Sequence, residues 1–463
     1  MTEQNYIIHM DKQDVIFASI LLYAGSVILW INYDPFTFSF QYECTLNILN
    51  HYFYLGIDGL SLFFIYLTTF LIPLCLIFNW SSNNEVASTN YHSLFAIELL
   101  LIIVFTTTDI LVFYIFFEAI LIPFFIFIGL NAYRKRRIHA SYLLFFYTIA
   151  GSIFMLVSIL AIYTYTGTTD LYILLDRNYI QDESMEKVIW FTFFLAFAVK
   201  VPIFPFHIWL PEAHVEAPTE GSVLLAGILL KLGTYGILRF LMPMFPLATI
   251  YYTPLVLIMS TMGILYTSFI TLRQIDIKRI VAYSSVAHMN LCVLGIFSTN
   301  MTAIAGSILL MIGHGLVSGG LFFAIGVLYN RFHTKLIKYY SGLIHGMPIY
   351  ATILFLLTMG NISLPLTSNF IGEFLILYGL YSTNNIYGLI IAMVSIFIGT
   401  LYSVLLYNKL IFGVIREKNK RIIDLHWNEL HIFFPIIIHM MWIGIYPNSF
   451  LDIINTYVLF NFF

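Results

Sequence analysis

Apolar residues run along this chain in long blocks separated by short polar intervals. A block of about 20 residues makes a helix that crosses a hydrocarbon layer roughly 30 Å thick, so each block reads as a membrane span. Thirteen spans are predicted: 14–33, 57–80, 92–108, 109–130, 137–164, 188–210, 219–241, 251–272, 279–297, 301–329, 350–381, 386–413 and 430–447. The interval 34–56 is too polar to be another. Two spans carry interruptions. In AFAVKVPIFPFHIWLPEAH, 196–214, a lysine precedes three prolines; in MGNISLPLTSNFIGEFL, 359–375, Gly360, Asn361, Pro365, Ser368 and Asn369 break the apolar run before Glu373. Pro removes a backbone N–H and disturbs the carbonyl one turn earlier, and such freed groups are tolerated in a membrane only beside protein or a hydrated cavity.

Composition agrees with the pattern. The 463 residues are 60% hydrophobic and 10% charged, against about 25% charged in soluble domains, which makes this an all-α polytopic membrane protein. Net charge is -3, and no basic block points to nucleic acid. Cys44, Cys75 and Cys292 are scattered, with no CxxC spacing for a cluster, zinc or haem, so neither metal nor cofactor is expected in this chain. The opening MTEQNYIIHMDKQD lacks the basic region and cleavage site of a signal peptide and the Arg and Ser richness of a transit peptide. Heavy use of Phe, Tyr, Ile and Asn is what AT-rich organellar coding produces.

Charge position then tests the span count. Lys12, Arg134, Lys135, Arg136, Arg137, Arg273, Lys278, Arg279, Arg331, Lys335, Lys338, Arg416, Lys418, Lys420 and Arg421 all fall on one side, with only Arg177, Lys187 and Arg239 opposite. The positive-inside rule puts that side, and the N-terminus, in the matrix or cytoplasm. Lys409 can snorkel from the end of its span, whereas Lys200 and Lys231 cannot. At 1.5 Å per residue both lie about 18 Å into their helices, with Glu118 and His288 about 14 Å in and His314 about 20 Å in. Ionisable groups at midplane are costly and pair with one another or with water, so a shared depth points to transport of a small ion. Glu98, about 9 Å from the positive face, is either a proton entry or an interfacial carboxylate.

Broken helices in corresponding positions of two halves point to an inverted repeat with its ion site at midplane. The expected layout is therefore an N-terminal part, 1–91, a first five-helix repeat, 92–241, a second and inverted one, 251–413, and a C-terminal loop and helix, 414–463. Lys200 and Glu373 become pseudo-equivalents.

Four stretches, 197–240, 271–291 (TLRQIDIKRIVAYSSVAHMNL), 313–322 (GHGLVSGGLF) and 368–379 (SNFIGEFLILYG), resemble the antiporter-like membrane subunits of mitochondrial respiratory complex I and of multisubunit sodium/proton antiporters. With GIDGLSLFFIYLT and FYIFFEAILIPFFIFIG, the likeness covers about 57–412. At the place of Glu373 one branch of the family carries Glu where its siblings usually carry Lys. The resemblance implies proton translocation through Glu118 and Lys200 as an interacting ion pair, Lys231 as central carrier, and His288 and His314 on a hydrated path to Glu373. His207, Asp276, Lys278 and Tyr283 fall in matching motifs, and for the last three a structural role at the positive interface stays open. It further implies an inner mitochondrial membrane location, neighbouring antiporter-like subunits and lipid as partners, and NADH, FMN, iron-sulfur clusters and ubiquinone in partner subunits. The usual member has fourteen helices, so one N-terminal helix is expected to be missing here. Two other readings stand beside this one: a free-standing cation/proton antiporter, and a membrane scaffold subunit without transport.

Overall fold

The computed structural model describes residues 12–37, 39–48, 51–80, 85–129, 135–176, 182–414 and 423–462. Arg134, Arg177, Arg416, Lys418, Lys420 and Arg421, used above to set orientation, lie outside them.

Helix α1, Lys12–Ile31, is followed by an antiparallel hairpin, β1 (Gln41–Ile48) with β2 (His51–Ile57), so the polar interval is indeed no span. Asp58 then starts α2, Gly59–Phe78, with a capping box: its carboxylate accepts from the Ser61 amide at 2.9 Å, and the Ser61 hydroxyl accepts from the Asp58 amide at 2.8 Å. Such a cap satisfies amide donors that no helical carbonyl reaches. Next come α3 (Glu85–Thr106), α4 (Ile110–Ala119) and α5 (Leu121–Gly129), the last two forming one bent crossing. After α6 (Lys135–Thr166) and a short α7 (Leu171–Asp176), α8 (Glu183–Lys200) stops at the lysine. The predicted span 188–210 is thus two pieces, because Pro202 and Pro205 deny the helix its donors. The chain restarts as α9, Trp209–Glu216, and α10, Thr219–Leu224.

From there α10 runs on through a π-helical stretch, Leu225–Leu229, into α11 (Leu230–Gly236), a second π stretch, Ile237–Leu241, and α12 (Met242–Met244). Helices α13 (Pro246–Arg273), α14 (Ile277–Ile296) and α15 (Met301–Phe332) follow, then α16 (Pro348–Asn361), α17 (Ser368–Ser382), α18 (Ile386–Ile411), α19 (Trp427–Ile445) and α20 (Asn448–Phe462). The predicted span 350–381 is likewise split. Between its halves Ser363 and Leu366 take positive φ, 62° and 78°, a conformation that costs non-glycine residues energy and persists where surroundings enforce it.

Among the described residues eleven helical stretches are long and apolar enough to cross a membrane. The remaining two predicted crossings are α8, which carries Glu183, Glu186, Lys187 and Lys200 in its 18 residues, and the broken pair α16 and α17. Beyond the last predicted span stands α20, whose 15 residues bury Phe450, Ile453, Ile454, Tyr457 and Val458. That stripe has helical spacing, but the helix extends only about 22 Å.

The helices sort into a shell and a centre. Large apolar residues stand exposed along α6, α13 and α18, as lipid-facing helices require, while the central windows of α2, of the crossing 219–244 and of α15 are 94%, 100% and 100% buried. Lipid tails give no hydrophobic drive to helix association, so inner helices are held by close packing and polar contacts. Two glycines make that visible. A Cβ on Gly313 of α15 would stand 2.7 Å from Asn369 Oδ1 and 2.9 Å from Ser368 Oγ, and one on Gly444 of α19 would collide with the Leu366 carbonyl oxygen. The second helix break is therefore clamped between α15 and α19.

Candidate functional site: a buried row of titratable side chains

The crossing 219–244 leaves α geometry on both sides of Lys231. π stretches are uncommon, concentrate at functional sites, and shift carbonyls away from their usual donors. Here the shift is used at once: the fully buried Lys231 ammonium donates to the Ala226 carbonyl. Its Nζ also lies 2.9 Å from Nδ1 of His314 on α15. The ring of His314 is 5.5 Å, centre to centre, from that of His288 on α14, and His288 Nδ1 is 3.1 Å from Glu373 Oε1 on α17. The two atoms are at ion-pair distance but not aligned for a directed hydrogen bond, since that oxygen has no hydrogen-bond partner. Four residues from four helices thus form one file.

Unfilled polar capacity surrounds the file. His288 Nε2, Ser368 Oγ, Asn290 Oδ1 and both amide atoms of Asn369 are buried without partners. Beside Glu373 a cavity of about 20 Å³ is lined by His288, Asn361, Ser395 and Tyr402, and a volume above roughly 10–15 Å³ accommodates a water molecule. Both helix breaks reach this region. Asn361, the last residue of α16, lines the cavity, and the Asn290 amide, one half-turn along α14 from His288, points to the Pro202 carbonyl at 3.4 Å.

Lys200 and Glu118 sit to one side. Lys200 Nζ donates to the Phe117 carbonyl at 3.3 Å and lies 3.9 Å above the Phe117 ring. Glu118 is the next residue on α4; the two charges act on one another, yet no nitrogen-oxygen contact closes within 4.0 Å, and Glu118 Oε1 is buried unpartnered. The structure therefore brings the expected partners to adjacent positions without a direct ion pair. Lys200 is still tied to the centre by backbone: a Cβ on Gly233 of α11 would stand 3.0 Å from the Phe197 carbonyl and 3.1 Å from the Val201 amide.

The secondary candidates spread out. Glu98 is fully buried on α3 with both carboxylate oxygens unpartnered. His207 packs against the rings of Phe204 and Tyr266, with Nδ1 unpartnered. Lys278 is buried and donates to the Ala217 carbonyl at 2.9 Å and to Ser222 Oγ at 3.1 Å, holding the gap between α9 and α10. Asp276 precedes the first turn of α14 without a capping hydrogen bond from its side chain and lies 3.8 Å from Nε of Arg279, whose Nη2 reaches Glu212 at 2.6 Å; Tyr283 is half-buried beside that pair.

Sequence reasoning missed some buried polar groups. Arg239, counted on the sparse side at the end of the span 219–241, is buried in an ion pair with Asp58 and stacked over the Phe40 ring at 4.2 Å. A charge at the end of a crossing needs a partner when the hairpin covers it, and the partner lies 181 residues earlier. His214, Glu216 and Glu220 are also buried. Their signal was present, since they fall within or directly after the proline-broken stretch.

The comparisons with known proteins bear on this geometry. A family model described as "NADH:quinone oxidoreductase/Mrp antiporter, TM" matches residues 107–399, which contain Glu118, Lys200, Lys231, His288, His314 and Glu373. The chain belongs to the NADH:quinone oxidoreductase/Mrp antiporter family. It is 50% identical over 445 residues to NADH-ubiquinone oxidoreductase chain 4 of Arabidopsis thaliana, covering 95% of this chain and 89% of that one. It is 49% identical over 447 residues to the protein of the same name from Marchantia polymorpha, covering 96% and 90%. Among solved structures, a chain of respiratory complex I from Thermus thermophilus with bound NADH superposes with a TM-score of 0.88 at 26% identity, over 98% of this chain and 96% of that one. A chain of the Mrp complex from Dietzia superposes with a TM-score of 0.85 at 15% identity, over 97% and 92%, a likeness of fold alone.

Proposed function

We propose that this chain is the chain-4-type proton-translocating subunit of a respiratory NADH:ubiquinone oxidoreductase in the inner mitochondrial membrane, with its N-terminus on the matrix side. It moves protons while partner subunits, which hold FMN, iron-sulfur clusters and the ubiquinone site, oxidise NADH. Neighbouring antiporter-like membrane subunits and lipid are its partners. Residues 92–241 and 251–413 are read as two inverted five-helix units, which the two breaks meeting one buried row support.

The observation that carries the reading is the file Lys231, His314, His288, Glu373, with contacts of 2.9 Å and 3.1 Å at its ends. Its parts divide the work. A buried ammonium is destabilised relative to the neutral amine, whereas a nearby anion restores it. When Lys200 leaves the Phe117 carbonyl and engages Glu118, the positive charge facing Lys231 is neutralised; when it returns, Lys231 is driven to release its proton to His314. The imidazole passes it on to His288, and the Glu373 carboxylate accepts it. Moving one charge against 100 mV costs about 2.3 kcal/mol, which a change of about two pH units in proton affinity supplies at 1.36 kcal/mol each. Small motions of Lys200 are enough.

Replacing Lys231 by Met tests the assignment in the assembled complex reconstituted into vesicles. Methionine fills the same space, so assembly and bound partners are retained, and the protons moved per NADH oxidised fall. An unchanged ratio would remove Lys231 from the path.

A further inference from the structure

The lipid-facing shell has a gap beside the first helix break. Between α6, the last turns of α8 and the bend that follows lies an open cavity of about 470 Å³, lined by Phe146, Ala150, Phe154, Leu195, Val199 and Phe206. No polar atom faces it. Its volume falls in the range of small-ligand sites, roughly 300–1,000 Å³. Small residues of α6 make the gap: Ala150 is exposed, with the exposed rings of Phe146 and Phe154 standing one turn to either side. Gly151 closes the floor, because it lets α8 approach so near that an added Cβ would stand 3.1 Å from Val199 Cγ2.

Polar groups stand in line with the cavity. Positions 136, 139, 143, 147, 150 and 154 step by three or four along α6 and so share one face of the helix. At the positive end of that stripe Arg136 and His139 are both exposed. Ala150 lies about 21 Å from Arg136 along the axis at 1.5 Å per residue, and one leaflet, headgroup included, is about 20–22 Å deep. A phosphate at Arg136 and the end of an acyl chain at Ala150 are therefore one lipid apart. A helix of a partner protein is the other apolar candidate. With side chains it is about 10–12 Å wide, and a cylinder of that width exhausts the same volume within about 4–6 Å, roughly one turn. The cavity admits an extended chain and excludes a helix.

We propose that this stripe binds one anionic phospholipid, its phosphate held by Arg136 and His139 and one acyl chain laid along α6 into the cavity. The guanidinium offers paired N–H donors to phosphate oxygens, and the imidazole adds an N–H donor. The net negative headgroup is drawn to cations at the membrane surface more strongly than a zwitterionic one. The chain end packs on Leu195 and Val199 before the break and on Phe206 after it, so a single lipid touches both sides of the bend that carries Lys200. The binding is a property of this chain's outer face, and it stands or falls apart from the pumping reading.

The test loads the assembled complex with phosphatidylglycerol or phosphatidylcholine bearing the same chains, one of them ending in a photoactivatable group, and maps the adducts by peptide mass spectrometry. Phosphatidylglycerol is expected to mark 146–154 and 195–206 about fivefold more than phosphatidylcholine, the effect of one cation on an anionic lipid. Arg136→Gln lowers the marking about fivefold, whereas Arg136→Lys keeps most of it. Ala150→Trp fills the cavity from an exposed position and abolishes marking there, with adducts on the lipid-facing helix α13 unchanged. Arg136 is a surface position, so its variants decide the matter even if Ala150→Trp does not assemble. Equal marking by the two lipids, or unchanged marking in Arg136→Gln, overturns the proposal. Marking of α13 with none in the cavity also overturns it, and shows that a protein partner covers the gap.

Discussion

Glutamine in place of Glu373 removes the only negative charge at the end of the file while keeping its shape. Glu373 Oε1 is 3.1 Å from His288 Nδ1, where two unit charges at an effective dielectric constant of 20 attract by about 5 kcal/mol. Water in the adjoining cavity weakens this, and doubling the screening leaves about 2.7 kcal/mol. Losing an attraction of that size from the transfer of a proton across His288 to Oε1 raises the barrier to the step, slowing it by a factor of about 100 at the weaker limit, at roughly 1.4 kcal/mol per tenfold change, and proton flux falls with it. Assembly is expected to hold, since Asn361, Ser395 and Tyr402 around the cavity can hydrogen-bond a carboxamide. The assay is proton flux in vesicles carrying the Glu373→Gln complex, with native electrophoresis to verify assembly. Flux within threefold of the unmodified complex would falsify the claim that the carboxylate draws the proton through His288.

Two further changes probe the frame around the file. Asp58→Asn leaves Arg239 buried beside a neutral amide, and breaking one side of a buried ion pair costs about 3–5 kcal/mol; the yield of assembled complex and its melting temperature should fall, whereas Asp58→Leu combined with Arg239→Leu recovers part of the loss. Gly313→Ala drives a methyl group to within 2.7 Å of Asn369 Oδ1 and 2.9 Å of Ser368 Oγ, separating α15 from α17; pumping should drop while the same substitution at Gly129, which has open space around it, leaves pumping unchanged.

The sequence by itself determined the membrane class, the crossings and the depth of the ionisable groups. Blocks of apolar residues leave a helix no alternative in lipid, since every backbone group must be satisfied within its own segment. Lys231, His288 and His314 were legible for the same reason: a titratable side chain halfway through a long apolar run needs a partner; Glu373 was singled out by the helix break before it and by the family resemblance. The proline breaks were legible too, although not that α8 would end on Lys200 itself. Which groups touch was a matter for the tertiary structure. The 2.9 Å contact of Lys231 with His314 depends on π turns that rotate α11, and no residue pattern in 219–244 announces where one extra residue enters a turn. Arg239 finding Asp58, and Lys200 resting on Phe117 beside Glu118 rather than against it, are likewise set by how distant helices pack. A charge is recognisable from its own span, but its partner is chosen by the fold that delivers another span to the same place.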